Sequence, residues 1–322
     1  MLPKAIKTVL LSISVCVLLG ISTLPTCAEK VGQGKNLKVA LLPILDVFPF
    51  YVAEAEGYFS EEGVKAEAIP VASGLARDQL MQAGEIDAML NEMASTASYN
   101  RESIQVKILS TARKPFSDYP MFRILSAPKI SIKNNSDLME IPIGISKNTI
   151  IEYVTDRLLS MKGLKPEQIN KKSVPSIPER YQLLIQGRIK AATLPDPMGL
   201  SALSSGANEI ISDAAYPQYS ISVLSFNIKA INNKSQEIKR FLRAWHRAAK
   251  AVNDNPEIYR QLLLDKVRVP PNVQNGYPMP HYPVNEIPTP SEWSDVMAWM
   301  VEKGLLNDAL PYETSVSEGF LP

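Results

Sequence analysis

The hydrophobic positions of this chain fall into blocks of two different periods. Leu37-Lys-Val-Ala-Leu-Leu42 reads as a strand, and a helix from about Pro49 to Glu61 follows it, with Gly63 as a left-handed stop. Ile141-Pro-Ile-Gly-Ile145 reads as another strand. The helix predicted after it, Thr149 to Met161, places Ile150, Val154, Leu158 and Met161 on one face before Gly163 ends it. These two starts open a duplication: residues 71–88 align without gaps on residues 174–191 at an offset of 103, with Val, Ser, Arg, Gln, Leu, Gly, Ile and Ala coinciding. Upstream, Glu62-Gly63-Val64 aligns on Lys162-Gly163-Leu164 at an offset of 100. Each copy predicts strand, loop, helix, Gly stop, strand, loop, helix, Gly stop, strand, which implies an α/β protein with mostly parallel sheets and right-handed crossovers. Beyond the second copy, Ser220-Ile-Ser-Val-Leu-Ser-Phe226 reads as a strand, and an amphipathic helix from about Ser235 to Asn253 carries Phe241, Leu242, Trp245 and Ala249. Residues 269–290, rich in Pro and Asn, predict an extended packing loop, and a last helix from Ser291 to Lys303 bears Trp293 and Trp299.

A chain of 322 residues is near the upper limit for one core, so two lobes are expected. If the chain crosses back after the second copy, residues 36–120 plus 222–322 form one lobe and residues 121–221 the other. The crossovers, near Ser117 to Arg123 and Tyr216 to Val223, then make a two-segment hinge. Open α/β sheets bind ligands beyond the carboxyl ends of their strands, so two such lobes build one cleft from equivalent loops. In the first lobe these are Pro43 to Phe50, Ala72 to Ala76 and Asn91 to Thr96; in the second, Ser146 to Thr149, Pro175 to Pro178 and Pro195 to Gly199.

Composition, with 45% hydrophobic and 21% charged residues, is that of a globular protein, and a net charge of +1 without a basic stripe argues against a nucleic-acid partner. Lys4 and Lys7, the apolar run from Thr8 to Leu24 and Thr26-Cys27-Ala28 have the pattern of a signal peptide over residues 1–28, which implies export. Leu24-Pro-Thr-Cys27 also resembles a lipobox, a signal ending at 26 with Cys27 acylated as a lipid anchor, although Thr26 departs from the small residues usual there. Residues 29–36 would then act as a tether. The location expected is the periplasm or the outer face of the cytoplasmic membrane. Both cysteines, Cys16 and Cys27, fall in this leader, so the body of the chain has no disulfide.

Pro49-Phe-Tyr-Val-Ala-Glu-Ala-Glu-Gly-Tyr-Phe-Ser-Glu-Glu-Gly-Val64, Ser73-Gly74 and Gly84-Glu-Ile-Asp-Ala88 resemble the substrate-binding proteins of nitrate, sulfonate, taurine and thiamine-pyrimidine ABC importers. Leu194-Pro-Asp-Pro197 resembles that family's second-lobe motif, where Glu is commoner than Asp196. The likeness covers most of the chain. It implies a two-lobed type II periplasmic-binding-protein fold, a small-molecule solute, and as partners the permease's transmembrane subunits with their cytoplasmic ATPase. No cofactor or metal is implied, and a monomer is expected.

Candidate solute contacts follow from the loops. Ser73 is a natural N-cap and Gly74 permits close backbone approach, so the helix they open can face a ligand or simply be capped. Ser146, Asn148 and Thr149 occupy the matching place in the second lobe. Asp46 beside Phe48 and Pro49 suits an amine or ring nitrogen with a ring stacked on Phe48, or Asp46 only caps its helix. Asn91 offers a donor and an acceptor. Tyr119 and Tyr216, near the crossovers, would touch solute and hinge together, and Asp196 between two prolines bonds ligand or fixes its own turn. Asp46, Glu92 and Asp196 match or outnumber the basic candidates Lys147 and Arg77, which leans towards an organic solute with amino or heteroaromatic groups.

His246 and His281 have no carboxylate or cysteine at metal-ligand spacing, and Walker, nucleophile-elbow and HExxH motifs are absent. An enzyme resembling thiamine-pyrimidine synthases on the same fold would need, as that resemblance implies, a histidine and a cysteine-rich motif within the site, and neither is expected there. A ligand-sensing ectodomain would need a signalling segment after the lobes, and Gly319-Phe-Leu-Pro322 does not provide one.

Overall fold

A computed structural model describes residues 36–132 and 134–322, so the leader with Cys16 and Cys27 lies outside the described residues. The described residues form one compact unit. Its first four strands are β1 (Leu37–Leu41), β2 (Ala66–Pro70), β3 (Ala88–Glu92) and β4 (Val106–Arg113). The next five are β5 (Phe122–Ser126), β6 (Ile143–Ile145), β7 (Lys171–Ser173), β8 (Ala191–Pro195) and β9 (Asn208–Ser212). β10 (Ser222–Asn227) then returns to the first sheet, giving the orders β2-β1-β3-β10-β4 and β7-β6-β8-β5-β9. β10 runs against both β3 and β4, and β5 against both β8 and β9. The reversed strand in each sheet is the one that arrives from the other sheet; the rest run parallel, as the duplication predicts. The sheet connections are residues 114–121 and 213–221. Asp213 pins them together, its two carboxylate oxygens accepting the N–H groups of Met121 and Phe122 at 2.9 Å each.

The duplication survives in three dimensions. Ser73 caps the Gly74–Gln82 helix by accepting the Ala76 N–H, and Ser176 caps the Ile177–Ile185 helix by accepting the Glu179 N–H. Arg77 donates to Leu90 O and Arg180 to Thr193 O, both at 2.9 Å, so repeat mates brace repeat mates. Gly84 and Gly187 end these helices at φ +71° and +69°. The copies diverge around the guanidinium. Arg77 Nη2 also donates to Ser95 Oγ at 3.2 Å, but the residue matching Ser95 is Met198, and Nη2 of the fully buried Arg180 has no acceptor among the described residues.

Two sequence expectations need correction. The single helix from Pro49 to Glu61 is two helices, Phe48–Ala55 and Tyr58–Glu61, because Gly57 at φ +75° breaks it. The Ile150–Met161 helix is also not buried on one face only: Glu152, Tyr153 and Asp156 are buried, while Met161 is 47% exposed. The Pro290–Glu302 helix covers its other side. Asp295 accepts from Tyr153 Oη and Arg157 Nε at 2.7 Å each, Trp299 Nε1 donates to Asp156 at 3.0 Å, and Lys303 Nζ is 3.2 Å from Glu152.

The Pro-rich segment is a belt around the hinge side. Asn272 bonds Ser201 in the Met198–Ser204 helix of the second lobe, accepting its hydroxyl at 2.8 Å. Tyr277, Met279 and Tyr282 are buried, and Tyr282 Oη donates to Leu45 O at 2.8 Å in the first lobe. Near the hinge, Asn285 N–H donates to Nδ1 of His246 at 3.2 Å.

Candidate functional site between the lobes

β3, β10 and β4 end side by side at the edge facing the second lobe. Ser222, the first residue of β10, is the register partner of Glu92 on one side and Arg113 on the other. Asp46, in the short turn after β1, is buried next to them; its Oδ1 accepts from Ser222 Oγ at 2.8 Å and its Oδ2 lies 3.9 Å from Nη1 of Arg113. That gap is beyond hydrogen-bond distance. Among the described residues the Arg113 guanidinium makes no hydrogen bond, although the residue is 3% exposed. Burial works against its charge, but Asp46, Tyr277, Tyr282 and Asp196 outweigh it and raise the pKa, so Arg113 stays cationic.

Arg113 feels Asp46 in the first lobe and Asp196 in the second, and so lies in the field of both. Asp196, nine-tenths buried and joined to Pro197 by a cis peptide, is clamped by Arg123, with Nε to Oδ1 at 2.9 Å and Nη2 to Oδ2 at 3.1 Å. Its Oδ1 also accepts the Leu200 N–H at 3.1 Å. Burial raises the Asp196 carboxyl pKa against the pull of Arg123. A small pocket also joins the lobes: Glu92, Met93 and Ala94 line it from the first, Ile150 and Tyr153 from the second, with Tyr219 and Ile221 from the hinge and Val296 from the C-terminal helix.

The remaining predicted contacts separate. Phe48 is wholly enclosed in the first hydrophobic core and Pro49 is buried beside it, so Phe48 has no free face for a stacked ring. Asn91 is also closed off, its amide donating to Thr96 Oγ1 at 2.9 Å and accepting from Ser225 Oγ at 2.8 Å. Phe48 turns inward at the start of its helix, and Asn91 turns into the lobe from within β3. Ser73 is exposed, with Gly74 beside it half-buried. Across the cleft, Ser146 O accepts from Thr149 Oγ1 at 2.8 Å, Asn148 takes φ +59°, and its N–H donates to Glu152 at 2.7 Å. Tyr119 is half-buried at the first crossover, stacked on His281 at 6.5 Å.

Arg113 was not among the sequence candidates, nor was Arg123. Each acid counted from sequence meets an arginine: Asp46 with Arg113 at 3.9 Å, Glu92 with Arg77 at 3.8 Å, Asp196 with Arg123 at 2.9 Å. The acidic excess that leaned towards an organic solute with amino or heteroaromatic groups is therefore met by arginines within the protein. The available signal was an arginine ending the otherwise largely apolar strand Val106–Arg113 just before a crossover.

Residues 45–258 match the family model described as NMT1/THI5 like. This chain belongs to the NMT1/THI5-like family. The membership bears out the family resemblance carried by the motifs at 49–64, 73–74, 84–88 and 194–197. A Brachyspira hyodysenteriae protein, named as a proposed ABC transporter periplasmic binding protein, is 22% identical over 276 residues, 80% of this chain and 78% of the relative. The periplasmic aliphatic sulphonate binding protein SsuA from Escherichia coli superposes with a TM-score of 0.72 at 16% identity, covering 88% of this chain and 92% of its own. The desulfurization enzyme DSZB does so with a TM-score of 0.67 at 11% identity, over 89% and 97%. This chain and these structures share the two-lobed fold, which serves a binding protein and an enzyme alike. Among the described residues no helix is long and apolar enough to cross a membrane.

Proposed function

We propose that this chain is the solute-capturing component of an ABC importer, exported by its leader, holding a small organic solute between its lobes and passing it to the permease. The observation that carries this reading is Arg113, a charged guanidinium buried between the lobes with no hydrogen-bonded partner among the described residues. A buried cation without acceptors is costly unless something supplies them, and a carboxylate, sulfonate or phosphate group of a solute does so. Such a solute, touching Arg113 in one lobe and the Ser146–Thr149 turn or Asp196 in the other, favours the closed arrangement because only that arrangement makes both sets of contacts. The duplicated strand-end loops and the family relationship support the same reading.

Capture without turnover is favoured over catalysis by the local chemistry. No cysteine occurs in residues 36–322, and His246 is committed to Ser110 and Asn285. Native mass spectrometry of the purified chain tests the proposal. We expect a retained small molecule with an acidic group, recovered unchanged after prolonged incubation; a converted product would identify an enzyme instead.

A further inference from the structure

Glu92 has more to offer than its pairing with Arg77. Arg77 directs Nε to Asp78 at 2.8 Å, Nη1 to Leu90 O at 2.9 Å and Nη2 to Ser95 Oγ at 3.2 Å, leaving the Glu92 carboxylate at 3.8 Å without a hydrogen bond among the described residues. Glu92 does not cap the Met93–Asn100 helix that follows it. Its side chain is 24% exposed and lines the interlobe pocket, whose volume of about 10 Å³ admits one water-sized group. The other walls are Met93, Ile150, Ile221, Val296 and the rings of Tyr153 and Tyr219, set edge to face at 6.3 Å. Both hydroxyls point to partners elsewhere, Tyr153 Oη to Asp295 and Tyr219 Oη to Met161 Sδ at 3.7 Å. Glu92 is thus the one acidic side chain among the described residues that line the pocket, with acceptors to fill and no neighbouring side-chain donor free to fill them. Burial pushes its carboxyl pKa up, only partly offset by Arg77, with Asp78 and Asp46 adding to the rise, so a cationic partner in the pocket is what would hold it ionised.

A group that only donates, and is positively charged beside aromatic faces, satisfies this pocket best: an ammonium has three donors and no acceptor. Register strengthens the point. Glu92 and Arg113 flank Ser222 one strand to each side, so their Cα atoms are separated by two strand spacings, about 10 Å. We infer that Glu92 receives a protonated amino group, so that the solute whose anionic end meets Arg113 is a short zwitterion, its charged ends lying across β10. The inference rests on the capture reading above.

Two matched pairs of probes test it by calorimetric titration of the full chain: propane-1-sulfonate against 3-aminopropane-1-sulfonate, and butanoate against 4-aminobutanoate. The amino member should bind at least about tenfold more tightly in the unaltered protein, as expected for a charge-assisted hydrogen bond. Glu92→Gln, with the fold checked by circular dichroism, should abolish that preference while changing the affinity for the amine-free member by less than about threefold. Equal affinities within each pair, a preference surviving in Glu92→Gln, or no binding by any of the four would overturn the zwitterion. The capture reading is judged separately, by whether the protein retains any other anionic solute.

Discussion

His246 provides a prediction whose sign and size both follow from geometry. It is 3% exposed; Nδ1 accepts the Asn285 N–H at 3.2 Å, so the ring proton is on Nε2 and is directed to Ser110 Oγ at 3.2 Å. Ser110 in turn donates to Thr111 O at 3.0 Å, which leaves its oxygen free to accept. A second ring proton would collide with the Asn285 N–H, and burial pushes the His246 pKa down to about 4 from 6.5. Because the folded state refuses a proton the unfolded chain takes up, the stability due to a neutral His246 is complete above pH 6.5 and is lost as pH falls towards 4. At pH 5 the loss amounts to about 2 kcal/mol, with a limit of about 3 kcal/mol at lower pH. Other carboxylates titrate in the same range, so the quantity to measure is the difference in melting temperature between pH 7.5 and pH 5 for the unaltered protein minus that for His246→Gln. The unaltered protein should lose several degrees more, at roughly 2–4 °C per kcal/mol for domains of about this size. Equal losses in both proteins would refute the neutral, belt-anchoring role of His246.

Other substitutions probe the architecture. Gly57→Ala should destabilise by about 1–2 kcal/mol in urea unfolding, because an L residue must hold φ +75° between the two helices. Thr149→Ala removes the acceptor for the Ile151 N–H and should cost about 1 kcal/mol by the same assay while weakening solute binding; an unchanged affinity would remove that turn from the site. Asp295→Ala, losing the bonds from Tyr153 and Arg157 at a partly exposed position, should cost about 1 kcal/mol, and a double-mutant cycle with Arg157→Ala should show coupling.

How far each feature could be read in advance depended on the range of the interactions behind it. The helices after β2 and β7 were legible because their signals are local: Ser73 and Ser176 cap three residues ahead, Gly84 and Gly187 stop at left-handed φ, and Arg77 and Arg180 reach carbonyls 13 residues away. The belt was legible only as a loop, since its anchors join residues far apart in sequence: Tyr282 to Leu45 over 237 residues and Asn272 to Ser201 over 71. The same distance hid the site chemistry. Asp46, Glu92 and Asp196 could be seen as acids near strand ends, but which arginine neutralises each depends on β4, β5 and the Gly74–Gln82 helix being folded around them. The burial of Phe48 was hidden for a related reason, because its inward turn depends on the enclosing core and not on its neighbour Asp46.

Titration of Arg113→Gln and the unaltered protein with the solute recovered by native mass spectrometry tests most directly whether an anionic solute is held between the lobes. Removing the cation should weaken binding by about 2–5 kcal/mol, or at least about thirtyfold, in a variant whose fold is checked by circular dichroism. Equal affinity in the two proteins would contradict the account, because the guanidinium left without a hydrogen bond among the described residues would then have no part in capture.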